Sequence, residues 1–140
     1  MTAAAFTLVV LGLAAVGGYA GWRRQFRWLA LWRLRRLERQ FAVDGQRASL
    51  FANVSRLMRD TAVHLCGDYP VAGLSGRRWQ VFLDETGASD DFTRGAGRCL
   101  ADAPYQDEQS LQQQDLDPAA VIAACRRWIR TARFNPERHQ

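Results

Sequence analysis

Three cysteines, two histidines and a scatter of carboxylates are the groups in this chain that could do chemistry. Cys66, Cys99 and Cys125 stand far apart, and no Cys-x-x-Cys pair occurs. His64 and Cys66 are two positions apart, which on a helix points them to different faces. His139 falls in the tail. A zinc ion takes four protein ligands, or three and a water, and this spacing offers no such set. Cys125 sits on an apolar stripe and reads as a small buried hydrophobe rather than a nucleophile paired with a histidine. Asp84-Glu85 and Asp90-Asp91 have the form of paired carboxylates, which can move protons or hold a hard cation. Their placement at a helix end and in the next loop reads as solvation instead. Gly73, Gly76, Gly87, Gly95 and Gly97 follow no strand and precede no Gly-Lys-Ser/Thr, so they form no phosphate cradle. No catalytic residue, metal or cofactor is expected, and the chain is not expected to be an enzyme.

The elements that would position any site begin with an anchor. The chain has 140 residues, 48% hydrophobic and 24% charged, a composition that can fold. Residues 2–21 carry no charge. About 20 helical residues rise about 30 Å, the thickness of a bilayer's hydrocarbon core. Phe6, Leu8, Val9, Val10, Leu11, Leu13 and Val16 supply the strong apolar groups. A cleaved signal peptide is the rival reading. It wants a positively charged start, and Met1–Phe6 holds no arginine.

Charge then sets a direction. Every one of the 19 basic residues is arginine. Arg23, Arg24, Arg27, Arg33, Arg35, Arg36 and Arg39 follow the apolar segment against a single acid, Glu38. The positive-inside rule counts arginines close to the end of a span. It predicts a short outer N-terminus and a cytoplasmic C-terminal part. Trp22, Trp28 and Trp32, with Arg23, Arg24 and Arg27, fit a membrane-interface belt of aromatic rings and snorkelling guanidinium groups. Ala14, Gly17, Gly18 and Gly21 share one helix face, and Gly17-x-x-x-Gly21 has the form of a self-association motif. Residues 23–60 hold ten arginines and three acids, residues 61–140 nine and eleven. The basicity is thus membrane-proximal. It fits anionic lipid better than nucleic acid, which is not expected as a partner.

Beyond the anchor the pattern is helical throughout, and the fold class expected is all-α. Residues 23–45 read as a basic juxtamembrane helix and hinge, a stalk against lipid phosphates more than a packed core helix. Leu50, Phe51, Val54, Leu57, Met58, Ala62 and Leu65 repeat at helical spacing, and Gly67 sits where a C-cap would. Ser75 is an expected N-cap for a helix bearing Trp79, Phe82 and Leu83. Residues 106–116 carry five glutamines and three acids and read as an exposed loop. Asp117-Pro118 is the clearest helix start, followed by Val121, Ile122, Cys125, Trp128 and Ile129. Four units result: an anchor over 1–22, the stalk and hinge over 23–45, a small helical bundle over 46–134 and a tail over 135–140. Trp79, Phe82, Tyr105 and Trp128 are expected in the core of so small a domain.

Leu74-x-Gly76-x-x-Trp79-x-x-Phe82-Leu83-Asp84, then Phe92, Gly97-Arg98-x-Leu100, Pro104-Tyr105 and Arg127-Trp128-Ile129 form an ordered set. With the anchor before it, this set resembles a family of uncharacterised bacterial single-span inner-membrane proteins. That family is encoded beside MoxR-type AAA+ ATPases and von Willebrand factor A-domain proteins, in clusters of the aerotolerance (Bat) type. The resemblance implies one span, a small cytoplasmic helical domain and no catalytic residues. It implies an accessory or scaffold role, docking a MoxR-type ATPase or a von Willebrand factor A-domain protein at the membrane. Binding of anionic lipid or nucleic acid through the arginine-rich stalk is the alternative. Relatives commonly carry a Pro- and Trp-rich lead before the span, and here the span opens almost at Met1.

Overall fold

A computed structural model describes residues 2–138, apart from the side chains of Thr2 and Ala20; His139 lies outside the described residues. The fold is all-α, with no strand among the described residues. Five α-helices follow one another: α1 (Thr2–Asp44), α2 (Arg47–Cys66), α3 (Gly76–Gly87), α4 (Glu108–Gln113) and α5 (Pro118–Thr131). Short 3₁₀ turns at Val71–Gly73, Ala96–Ala101, Ala103–Tyr105 and Pro136–Arg138 join or follow them.

α1 is one unbroken helix of 43 residues. Its N-terminal half is long and apolar enough to cross a membrane, and nothing in the chain buries it. Its C-terminal half belongs to the domain. Ala30 and Leu34 are fully enclosed, and Leu31, Leu37 and Phe41 pack beside them. The segment expected as a stalk more than a packed core helix thus packs as part of the core. The arginines scattered round α1 hide a narrow small-and-leucine face, and that face is enough to seat one helix on another.

Gly45 turns the chain at φ +63°, a conformation that glycine adopts without a Cβ penalty. α2 then runs back along α1. Its Leu50, Phe51, Val54, Leu57, Met58 and Ala62 face the core, as their spacing predicts. Gly67, at φ +59°, ends α2. Ser75 stands at the N-cap position of α3, but its side chain makes no capping hydrogen bond. α3 buries Trp79, Phe82 and Leu83, and the Phe82 ring lies against those of Trp79, Tyr69 and Phe134.

Residues 106–116 are not the expected loop. Asp107 caps a short helix by accepting from the Ser110 N–H at 2.7 Å, and α4 buries Leu111 completely. One leucine among glutamines gives no periodic signal, yet it is enough to pin a turn and a half of helix. α5 starts as its Asp-Pro sequence predicts, with Asp117 accepting from the Ala120 N–H. It buries Val121, Ile122, Cys125, Trp128 and Ile129. Tyr105, expected in the core, is 79% exposed at the end of its 3₁₀ turn. Ala103, two residues earlier, occupies the buried position in its place.

Candidate functional site

The residues singled out for the membrane interface all lie on α1, and the helix treats them differently. Trp22 stacks between Tyr19 and Phe26, at 6.3 and 6.1 Å, and Phe26 stacks in turn on His64 of α2 at 4.5 Å. This aromatic ladder links the end of the apolar segment to the start of the domain. Arg23 folds back over the Tyr19 ring at 4.9 Å, a cation–π contact. Arg24 and Trp28 project outward and are exposed. Trp32 is half exposed and lies under Arg36. Ten residues separate Trp22 from Trp32, about 15 Å along an α-helix. A headgroup layer is only about 5–8 Å deep, so a helix near the membrane normal carries Trp32 beyond it.

Arg27 turns inward. Its guanidinium donates to the Ile129 carbonyl oxygen at 2.7 Å and to that of Ala132 at 2.5 Å. The last carbonyls of a helix have no partner within it, and the C-terminal end of a helix favours a cation. Arg27 therefore closes the end of α5 from outside. Burial, and then the neighbouring Arg23 and Arg133, hold its pKa below the usual arginine value. No local sequence signal distinguishes Arg27 from its six neighbours. Only the position of the α5 end, 102 residues on, does so.

Two carboxylates do comparable work in the domain. Glu108 of α4 accepts from the backbone N–H groups of Arg47 and Ala48 at 3.0 and 2.6 Å, capping α2 from another element. Those hydrogen bonds, from Ala48 and then Arg47, hold its pKa below the ordinary glutamate value. Asp84 accepts from the Phe92 and Thr93 N–H groups at 2.9 and 3.0 Å, and from the Thr93 hydroxyl. Asp84 thus shapes the loop after α3, where solvation alone was expected. Asp91 pairs with Arg127, and Asp90 takes backbone N–H bonds through its own carbonyl.

The remaining motif residues are packing residues. Trp79, Phe82, Leu83, Trp128 and Ile129 are buried. Trp79 carries Arg59 over its ring at 4.6 Å, and Arg59 also donates to the Leu74 carbonyl. Leu74 and Pro104 are half-buried. Gly76 opens α3 at φ +53°. Gly97 is buried so tightly that a Cβ there would stand 2.6 Å from a Phe92 ring carbon. The Trp128 indole donates to the Thr86 hydroxyl at 2.9 Å. Exposed Tyr105 stands apart from this set.

Ala14, Gly17, Gly18 and Gly21 are uncovered on α1, and each of the three glycines has open space where a side chain would be. No group of three His, Cys, Asp or Glu converges among the described residues. Cys66 and Cys125 are buried and Cys99 half-buried. Burial pushes the Cys66 and Cys99 thiols up to about 11, and the Cys125 thiol higher still. Such thiols are poor nucleophiles at neutral pH.

Several hollows adjoin α1. A cavity of about 20 Å³ lies among Trp22, Phe26, Arg27, His64 and Ile129, room for little more than a water molecule. A larger open groove, about 520 Å³, runs between α1 and α2. Trp32, Arg33 and Arg36 form its α1 wall, and Arg56 and Asp60 stand on the α2 side.

The family described as "Domain of unknown function (DUF4381)" matches residues 1–131, from the apolar segment to the last turn of α5. No curated protein and no solved structure is significantly similar to the chain.

Proposed function

The chain belongs to the DUF4381 family, and on that premise we propose that it is a membrane-anchored, non-catalytic accessory protein that holds a helical module at the bacterial inner membrane. Its N-terminus lies outside, its domain in the cytoplasm, and its partner is a MoxR-type ATPase or a von Willebrand factor A-domain protein. The observation that carries the reading is the continuity of α1. One helix leaves the apolar segment and, within about three turns, supplies Ala30 and Leu34 to the core. Arg27, between them and the apolar segment, fastens α5 to the same helix. A domain joined this way has no slack between anchor and body. Its surfaces are held at fixed heights above the bilayer, and tethering raises the effective concentration of partners there.

The arginine excess after the apolar segment supports the orientation through the positive-inside rule. The partner class is supported by the resemblance that the ordered motif carries. Buried thiols and carboxylates committed to backbone caps fit a module that binds rather than reacts. Purification of the tagged full-length chain in several mild detergents tests the reading. Recovery of a MoxR-type ATPase or a von Willebrand factor A-domain protein is expected; recovery of neither in any detergent overturns it.

A further inference from the structure

The open groove between α1 and α2 is far larger than the cavity beside Trp22, and positive charge predominates in it. Arg33, Arg36 and Arg56 have no carboxylate within ion-pairing distance among the described residues, whereas Arg126 and Arg127 pair with Glu38 and Asp91. Asp60 is the sole acid on the wall, so the groove carries a surplus of positive charge. Its floor is apolar, with Leu29 and Leu57, and Trp32 is 47% exposed on its rim. Arginine and tryptophan beside apolar side chains are the composition of binding hot spots. Like charges round a low-dielectric cleft also concentrate field within it.

Height selects among anionic occupants. With residues 2–21 in the hydrocarbon, Arg33 and Arg36 stand about 18–22 Å beyond its edge on a straight helix. An ordinary span tilt of about 20° shortens this by only about 1 Å. The headgroup layer ends about 5–8 Å out, and lipid charge is screened within about 8 Å more. The groove is therefore above the lipid. Asp60, one turn before the His64 that stacks on Phe26, places an acid at the membrane-side end with the arginines beyond it. A continuous polyphosphate chain would meet that acid, whereas a protein segment can match a mixed pattern. Two adjacent helices offer a seat to a third, and Arg33 and Arg36 are one turn apart, the spacing of carboxylates along a helix face.

We infer that the α1–α2 groove is the docking surface for an acidic helical segment of a protein partner, with carboxylates paired to Arg33, Arg36 and Arg56 and apolar groups on Leu29, Trp32 and Leu57. The inference rests on the docking reading above for the occupant being a protein, and goes beyond it in naming the surface and the chemistry of the segment.

The test uses the full-length chain in phosphatidylcholine nanodiscs and a labelled amphipathic helical peptide rich in Glu and Leu. Fluorescence anisotropy is expected to show binding that weakens with rising salt. The R33E/R36E/R56E chain should bind about tenfold or more weakly, the loss of charge-assisted hydrogen bonds. R56Q alone should lose about threefold, which keeps the test open if the triple variant folds poorly by circular dichroism. R35E, exposed and nearly opposite Arg33 round α1, should stay within about twofold of the native chain. No binding, equal losses in the groove and back-face variants, or selective loss of an oligonucleotide or of phosphatidylglycerol vesicles in place of the peptide would overturn the inference. If the native chain co-purifies its partner and R33E/R36E/R56E recovers it undiminished, the groove fails and the docking reading stands. If the peptide binds but no partner co-purifies, the docking reading fails and the groove stands.

Discussion

Arg27 and Ile129 are 102 positions apart in the chain, yet the guanidinium of one donates to the carbonyl oxygen of the other at 2.7 Å. With the second bond to Ala132, this contact ties the last turn of α5 to the helix that leaves the apolar segment. A hydrogen bond from a charged donor contributes about 1.5–3 kcal/mol, more than a neutral one. Arg27→Ala is expected to lower stability by about 2 kcal/mol, measured by unfolding in detergent followed by circular dichroism. Arg27→Lys should recover only part of the loss, because an ammonium lacks the planar fork that reaches two carbonyls. Arg24→Ala, three residues away and exposed, should change stability by less than about 0.5 kcal/mol. Equal effects at the two positions would mean that Arg27 is only one more interfacial arginine.

Glu108 gives α2 a pH dependence. Its carboxylate accepts from Ala48 and Arg47, and these bonds lower its pKa in the folded chain. A lowered folded pKa means stability that is present in full above the unfolded value, about 4.3 for glutamate. That stability drains away as pH falls through the lower folded value. Amide exchange at Arg47 and Ala48 should accelerate, relative to the intrinsic rate, as the solution is acidified below about pH 4.3. Glu108→Gln should show the faster relative exchange already at neutral pH and lose the acid-dependent step. Unchanged exchange in Glu108→Gln would remove Glu108 as the cap.

What was legible in the sequence divides along a physical line. Regular apolar spacing predicts α2 and α5, because burial of one face is a periodic property that each residue states for itself. Asp117-Pro118 and Gly67 mark helix ends by local backbone chemistry, and both stand where they should. The ordered set from Leu74 to Ile129 was legible in the sequence, and most of it is core: Trp79, Phe82 and Trp128 pack, and Gly97 makes room for Phe92. Hidden from the sequence was everything decided by a distant partner. Arg27 differs from Arg24 only through α5, Glu108 from the other acids of 106–116 only through α2, and the burial of Leu34 only through the return of α2 along α1. Tyr105 departs for the opposite reason: aromatic size predicts burial, while the small Ala103 fills the available place.

Gly97 and Trp128 carry the sharpest packing predictions. Gly97→Ala would put a methyl group 2.6 Å from a Phe92 ring carbon, with a backbone oxygen of Asp91 at 3.1 Å on another side. Overpacking of this kind costs about 1–3 kcal/mol. The loop fixed by Asp84 should loosen with it, read as faster amide exchange at Phe92 and Thr93. Trp128→Phe keeps a smaller aromatic ring and loses the indole N–H, leaving the Thr86 hydroxyl oxygen without its donor. The expected cost is about 1–3 kcal/mol, because the group left unpaired is buried. A Gly97→Ala chain as stable as the native one would show that the Phe92 ring can swing aside.

The thiols bear on sidedness in a way their positions in the sequence conceal. Labelling Cys66, Cys99 and Cys125 in intact and lysed cells is the direct route to which side of the membrane holds the domain. Yet two are buried, and burial raises the pKa of all three, so a maleimide meets little thiolate on either side. In the folded chain, Cys99 is expected to react first and Cys125 last. All three should react fast only after denaturation, a sequence that mass spectrometry after timed alkylation would resolve. Tyr105 provides the proper probe, since it is 79% exposed and outside the packed motif. Tyr105→Cys should leave stability within about 0.5 kcal/mol of the native chain. It should be labelled by a membrane-impermeant maleimide only after the inner membrane is opened. Rapid labelling of Tyr105→Cys in spheroplasts with an intact inner membrane would put the domain on the outer side, reverse the orientation proposed from the arginines, and remove cytoplasmic ATPases as partners.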